Sequence, residues 1–321
     1  MIRTFRVRHL ILLILLFYAA MVLYYANTVP LLESSDEGAH FLYIHNLLVD
    51  RALPVIDNRE SIAEQPDPAK RFAVESHQPP LYYLIGAVLI SPTQRSDIDT
   101  YFQPNPLIFF RGIMQDNANV WLHTLAPTTG DTGTAIWILR LYSLALSVGT
   151  LLLIYRSARL ALNTQSLALA SMLLVACIPT FINIGGSVNN DNLVTLLYTA
   201  GVYWSLRTWR YGIRPRDIAI ISLILAAIAL TKINGLTLFP VTYLALIIGV
   251  QRRRYPLKRA LQVIAVSLIA TAILAGWWYI RNLTLYGDLL ATSATLSLWG
   301  RNFANPTQSG NLSVEITRVW N

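Results

Sequence analysis

Seven stretches of this chain are apolar over the length, or nearly the length, that crosses hydrocarbon: residues 10–32, 135–155, 166–184, 192–206, 217–231, 235–250 and 260–280. A bilayer core about 30 Å thick takes about 20 helical residues. Inside it every backbone N–H and C=O must find a partner within the protein. Charge is correspondingly scarce. The chain is 54% hydrophobic and 13% charged, where a soluble domain carries about 25% charged residues. The reading is an all-α polytopic membrane protein with about seven transmembrane helices. The first run follows MIRTFRVRH and outlasts the apolar core of a cleaved leader, so it reads as an uncleaved signal-anchor. The single cysteine, Cys177, excludes an intrachain disulfide and a cysteine metal site.

The net charge of +8 is unevenly distributed. Arginine and lysine gather in four groups: Arg3, Arg6 and Arg8; Arg156 and Arg159; Arg207, Arg210, Arg214 and Arg216; Arg252, Arg253, Arg254, Lys258 and Arg259. Asp217 is the one acid near them. The positive-inside rule puts all four groups in the cytoplasm. The basic balance is then a topology signal, and no nucleic-acid partner is implied. This topology requires the 12-residue run PPLYYLIGAVLI, 80–91, to be a re-entrant or interfacial helix returning to the outer side. The N-terminus is cytoplasmic, and two long outer segments follow, 33–79 and 92–134. In the first, Phe41, Ile44, Leu47 and Leu48 recur at helical spacing. They predict a juxtamembrane amphipathic helix lying on the membrane, with Asp36, His40 and Tyr43 on its other face.

Charge beside hydrocarbon is costly and needs a reason. Asp36 and Glu37 follow the first run almost without a spacer. Acids in a first turn suit the helix dipole; a carboxylate at the membrane boundary also suits a general base. Arg140, Lys232 and Arg281 stand near outer ends of runs. They either snorkel to the interface or supply positive charge for an anionic ligand, where arginine's fork holds phosphate in two places. GGSVNNDN, 185–192, is a polar turn that caps the next helix or presents Asp191. In ESHQPP, the Pro79–Pro80 pair stops one helix and starts the next. Glu75, His77 and Asp36 are conceivable ligands of a divalent metal, although no tight ligand spacing is present.

The order SSDEGAHFLYIHNLL, ESHQPPLYYLIGAVL, LRLYSLALSVGTLLLIYRSARL, NNDNLVTLL, ALTKINGLTLFP and GWWYIRNLTLYGD resembles the polyprenyl-phosphate-dependent glycosyltransferases of the GT-C fold. Protein O-mannosyltransferases and lipid A aminoarabinose transferases are the best-known members, and the closer likeness is to a bacterial branch. The resemblance runs from residue 10 to 290. It implies a catalytic transmembrane module over 1–290 and an outer tail, 291–321, that begins a further C-terminal part. It implies an enzyme of the bacterial plasma membrane with an extracytoplasmic site. The donor is a polyprenyl-phosphate sugar, and the acceptor is a hydroxyl of a glycan, lipid or protein. It assigns catalysis to Asp36, with Glu37 beside it and Asp191 facing the same cavity. Substrate binding falls to His77, Gln78, Arg140, Lys232 and Arg281, with Arg281 the favoured partner of the phosphate. A single base acting by direct displacement inverts the anomeric centre. The competing readings are a polar-lipid transporter or flippase, and a truncated, inactive transferase serving as a scaffold. A transporter needs polar or broken helices at mid-membrane, whereas the charges here sit at run ends.

Overall fold

A computed structural model describes residues 2–56, 73–103, 105, 119–123 and 130–298. Much of both predicted outer segments, and the tail beyond 298, lie outside these residues. The described elements are helical: α1 (Ile2–Thr28), α2 (Glu37–Val49), α3 (Leu81–Ile90), α4 (Ile98–Tyr101), α5 (Asp131–Leu162), α6 (Gln165–Ala176), α7 (Pro179–Gly185), α8 (Asp191–Tyr211), α9 (Pro215–Ala229), α10 (Leu238–Gln251), α11 (Leu257–Leu274), α12 (Gly276–Tyr286) and α13 (Thr292–Leu298). Short 3₁₀ turns precede α3, at Ala73–His77, and α10, at Ile233–Thr237.

Each of the seven apolar runs is helical, but fewer than seven of the described helices are by themselves both long and apolar enough to cross a membrane. Four helical stretches are long and apolar enough to cross a membrane: Val7–Thr28, Asp131–Leu162, Ile233–Gln251 and Leu257–Leu274. A fifth counts if α6 and α7, bent by 69°, are one broken span. The break has a local cause. Ile178 precedes Pro179 and is extended, at φ −73° and ψ 117°, because a proline ring disfavours helical geometry in the residue before it. Helix α9 has only 15 residues, about 22 Å at 1.5 Å per residue. The run 260–280 is also interrupted, at Ala275, where α11 hands over to α12. The run expected as a short interfacial segment is helical, α3, whose 10 residues reach only about 15 Å.

Helix α8 joins two packed groups. On one side α5 lies along it, with α1, α6 and α7 packed on α5; on the other are α9, α10 and α11. The pair α2–α3 covers the end of the bundle where α5 and α8 begin. Helix α2 differs from the expected surface-lying amphipathic helix. Its first eight residues, Glu37 to Ile44, are all buried, because α3, α5 and the 187–190 turn enclose them. Gly86 permits this closeness, since a Cβ there would stand 2.7 Å from Ile44 Cδ1 and 3.2 Å from Leu139 Cδ2.

One ion pair holds these parts together. Glu37 and Arg140 are 0% and 2% exposed. Arg140 Nε donates to Glu37 Oε1 at 2.9 Å and Nη2 to Oε2 at 2.6 Å, a bidentate fork. The remaining guanidinium protons go to the carbonyls of Ala26, Val29 (3.3 Å) and Pro30 (3.1 Å), capping the end of α1. The carboxylate also accepts the Leu32 and Val188 N–H groups, each at 2.9 Å. A buried charge is tolerable only when paired and hydrogen-bonded in this way.

Arg140→Met is therefore expected to cost about 3–5 kcal/mol, because it leaves a buried carboxylate unpaired. The paired change Glu37→Leu with Arg140→Met should recover most of that loss. Thermal unfolding of the detergent-solubilised chain reads both; equal destabilisation by the single and double changes would show that the pair is not the staple.

Candidate functional site

The site lies at the end of the bundle covered by α2 and α3. Asp36 is exposed and sits before α2 in the left-handed region, at φ 58°. Aspartate accepts that conformation more readily than most residues. Its carboxylate caps no helix N–H, and among the described residues it receives only the Ser35 hydroxyl, at 3.4 Å. It is thus poised outward, while its neighbour Glu37 is turned into the protein and occupied by four donors.

The polar turn before α8 is drawn to Asp36 by two links. Val188 N–H donates to Glu37, and Asn189 Nδ2 donates to the Ser35 carbonyl at 3.3 Å. Asp191 follows at the start of α8, its N–H held by Asn189 Oδ1 at 2.8 Å. Lys232 reaches it from the extended link after α9, with Nζ 2.6 Å from Asp191 Oδ1. The pair is partly open to solvent, with exposures of 19% and 43%. A lysine ammonium has three donors, so this contact leaves others available to a ligand.

The 3₁₀ turn 73–77 closes the cluster. Glu75 Oε2 is buried with no hydrogen-bond partner among the described residues, while the Gln78 side chain bonds to the carboxyl group. Burial, then the negative charges of Asp36 and Asp191, raise the Glu75 carboxyl from 4.5 to about 7, with Lys232 pulling the other way. Asp36, Glu75, Asp191 and Lys232 thus share one electrostatic neighbourhood. Gln78 Nε2 is 3.2 Å from His77 Nε2. His40 is buried; desolvation first, then the positive Lys232 and His77, push it down to about 3, which keeps it neutral. Behind it runs a polar network: His40 Nδ1 is 2.8 Å from Tyr83 Oη, which also accepts Asn190 Nδ2 at 3.2 Å. Tyr83 stacks on Tyr43 with centroids 3.7 Å apart, and Tyr43 donates to the Gln78 carbonyl at 3.2 Å.

The residues singled out in the sequence divide accordingly. Asp36, Asp191, Lys232, His77 and Gln78 come together. Glu37 and Arg140 form the staple, and the Arg140 donors are spent on Glu37 and on carbonyls. Arg281 is held by other partners, although its charge is felt by Tyr43 of the same network. Its Nη2 donates to the Leu53 and Pro54 carbonyls at 3.2 and 2.7 Å, and its guanidinium lies 4.9 Å from the centre of the Trp278 ring. It lines an apolar hollow with Leu53, Val55, Trp277 and Ile280, and no acid takes part. The cation that pairs directly with an acid of the cluster is Lys232. Glu75 was legible only as a conceivable metal ligand. Nothing in its own spacing signals that the fold buries it against two other carboxylates. Among the described residues no group of three His, Cys, Asp or Glu side chains is arranged to hold a metal ion, so Asp36, Glu75 and His77 form no such centre. Glu33 was not singled out either. It accepts the Val120 and Trp121 N–H groups at 2.9 and 2.8 Å and faces His123 Nε2 at 2.8 Å, fastening the 119–123 strip beside the site.

The raised Glu75 carboxyl has a pH signature. Between about pH 4.5 and 7 the folded chain keeps a proton that the unfolded chain has lost. The stabilisation is full below that window and disappears as pH rises through it. Glu75→Gln should flatten the decline by up to roughly 3 kcal/mol between pH 5 and pH 8. Unfolding midpoints of both proteins across that range read the difference; parallel curves would mean that Glu75 is an ordinary solvated acid.

No curated protein and no solved structure matches the chain. A family model does, over a segment that contains Arg140, Asp191 and Lys232, ends one residue before Arg281, and begins after Asp36, Glu37, His77 and Gln78. Residues 121–280 match the family described as dolichyl-phosphate-mannose-protein mannosyltransferase, a likeness to membrane glycosyltransferases carried by that half of the chain.

Proposed function

We propose that the chain is a membrane glycosyltransferase that moves a sugar from a polyprenyl-phosphate donor to an acceptor hydroxyl, with Asp36 as base. The observation that carries this reading is the meeting of an outward-facing, unpaired carboxylate with the half-open Asp191–Lys232 pair. They meet at one end of an apolar bundle that matches a mannosyltransferase family over residues 121–280.

The chemistry follows from those groups. Asp36 takes the proton from the acceptor hydroxyl, whose oxygen attacks the anomeric carbon. The bond from that carbon to the phosphate oxygen breaks, and the lipid phosphate leaves with the electron pair. Fixed positive charge aimed at the departing anion lowers the barrier most. Lys232 supplies it, with His77 and Gln78 beside it as donors. Asp191 orients Lys232, and the Glu37–Arg140 staple holds the Asp36 turn against the 187–191 turn. One attack on one face inverts the configuration, and no second carboxylate is needed as nucleophile. On the charge-derived topology this end faces away from the cytoplasm.

Membranes holding the chain, given labelled polyprenyl-phosphate sugars, should release lipid phosphate and label an acceptor. Asp36→Asn should lower the rate by about 10²–10⁴-fold, the range of a general base, while insertion and unfolding temperature stay near wild type. Lys232→Gln should lower it as well, because the leaving phosphate loses its counter-charge. Undiminished transfer by the Asp36 variant would remove it from the mechanism. Absence of turnover by the wild type across a broad donor panel would remove the proposal.

A further inference from the structure

The opposite end of α5 and α8 carries a second polar hollow. Its volume is about 300 Å³, and it lies between the C-terminal turns of the two helices. Tyr155, Arg156, Arg159, Tyr203, Arg210 and Tyr211 line it, and no acid is among the lining residues. It is remote from the proposed active site: Asp191 and Arg210 are 19 residues apart on one helix, roughly 28 Å at 1.5 Å per residue.

Helix C-termini ordinarily repel anions, because their last carbonyls carry partial negative charge. Here that obstacle is removed from within. Arg210 Nη1 donates to the Leu160 carbonyl at 2.8 Å, and its Nη2 donates to Asn163 Oδ1 at 2.9 Å. Two acceptors at the end of α5 are thereby occupied, and the arginine that occupies them is itself positive. Arg156 and Arg159 complete the rim without an ion pair to any described acid. By contrast, Arg207, three residues before Arg210, is neutralised by buried Asp217 at 2.6 Å. The surroundings place the hollow at headgroup depth. Exposed Leu162 and Tyr211 flank it, and tyrosine favours the membrane–water boundary.

We infer that this hollow binds the phosphate of an anionic phospholipid headgroup, with Arg156 and Arg159 as its charged contacts and Arg210 as their scaffold. Basic recesses between membrane helices suit such headgroups, and arginine forks match phosphate oxygens. The apolar flank favours a lipid over a free phosphate ion.

The test is native mass spectrometry of the full chain in detergent, with phosphatidylglycerol or phosphatidylcholine added at equal concentration. Wild type should retain one phosphatidylglycerol and little phosphatidylcholine. Arg156→Gln with Arg159→Gln should weaken that retention about tenfold or more. Arg252→Gln with Arg253→Gln, which removes two charges outside the hollow, should leave it unchanged. Equal retention of the two lipids overturns the site. Equal loss in the two double variants shows diffuse attraction and overturns it too. Displacement of the lipid by millimolar inorganic phosphate assigns the hollow to a free anion instead. Should the first double variant fail to insert, the wild-type comparison of the two lipids decides alone.

Discussion

A carboxylate and a guanidinium out of contact with water set the geometry of this molecule. Each would be prohibitive alone in a low-dielectric interior. Together, Glu37 and Arg140 satisfy one another in two places, and their spare valences reach three other parts of the chain, the end of α1, the turn before α2 and the turn before α8. The pair therefore acts less as a source of stability than as a constraint on register. It decides where α1 ends, how the 31–36 turn enters α2, and where the turn before α8 must lie. Asp36 inherits its position from this arrangement. It is presented to the outside because the next residue is anchored inside.

The two ends of the bundle use charge in opposite ways. At the α2–α3 end, three carboxyl groups and one lysine share a partly dehydrated recess, and burial first, then the neighbouring carboxylates, moves the Glu75 proton equilibrium toward neutrality. Such perturbation is common where proton transfer is needed. At the other end the charges are almost all positive and mostly solvated. Among the described residues the single acid there, Asp217, is sealed against Arg207 and also accepts the Arg214 N–H at 2.9 Å. It serves the start of α9 rather than chemistry.

Legibility from sequence follows the range of the forces involved. The helical class was readable because apolar runs and basic clusters report the solvent directly, residue by residue. The break at Pro179 had a local signal that a count of apolar residues ignores. The seven-run pattern outnumbers the described helices that are by themselves both long and apolar enough to span. Arg281 and Arg140 looked equivalent to Lys232, since all three are cations near run ends. Their difference lies in partners brought from 41 to 228 positions away: Leu53 and Pro54 for Arg281, Glu37 for Arg140 and Asp191 for Lys232. No spacing rule within a segment encodes such pairings.

What the sequence by itself determined is the solvent each segment prefers, the end of the bundle that carries positive charge, and the shortlist of ionisable groups near hydrocarbon. Those are one-body properties, written in side-chain polarity. What only the tertiary structure decided is which acid is free and which is bound. Asp36 and Glu37 are adjacent and chemically alike, yet one faces outward and the other is saturated. The reason is that desolvation is a property of the whole enclosure: a carboxylate buried beside Arg140 becomes a structural bond, and its neighbour, one residue away, stays available.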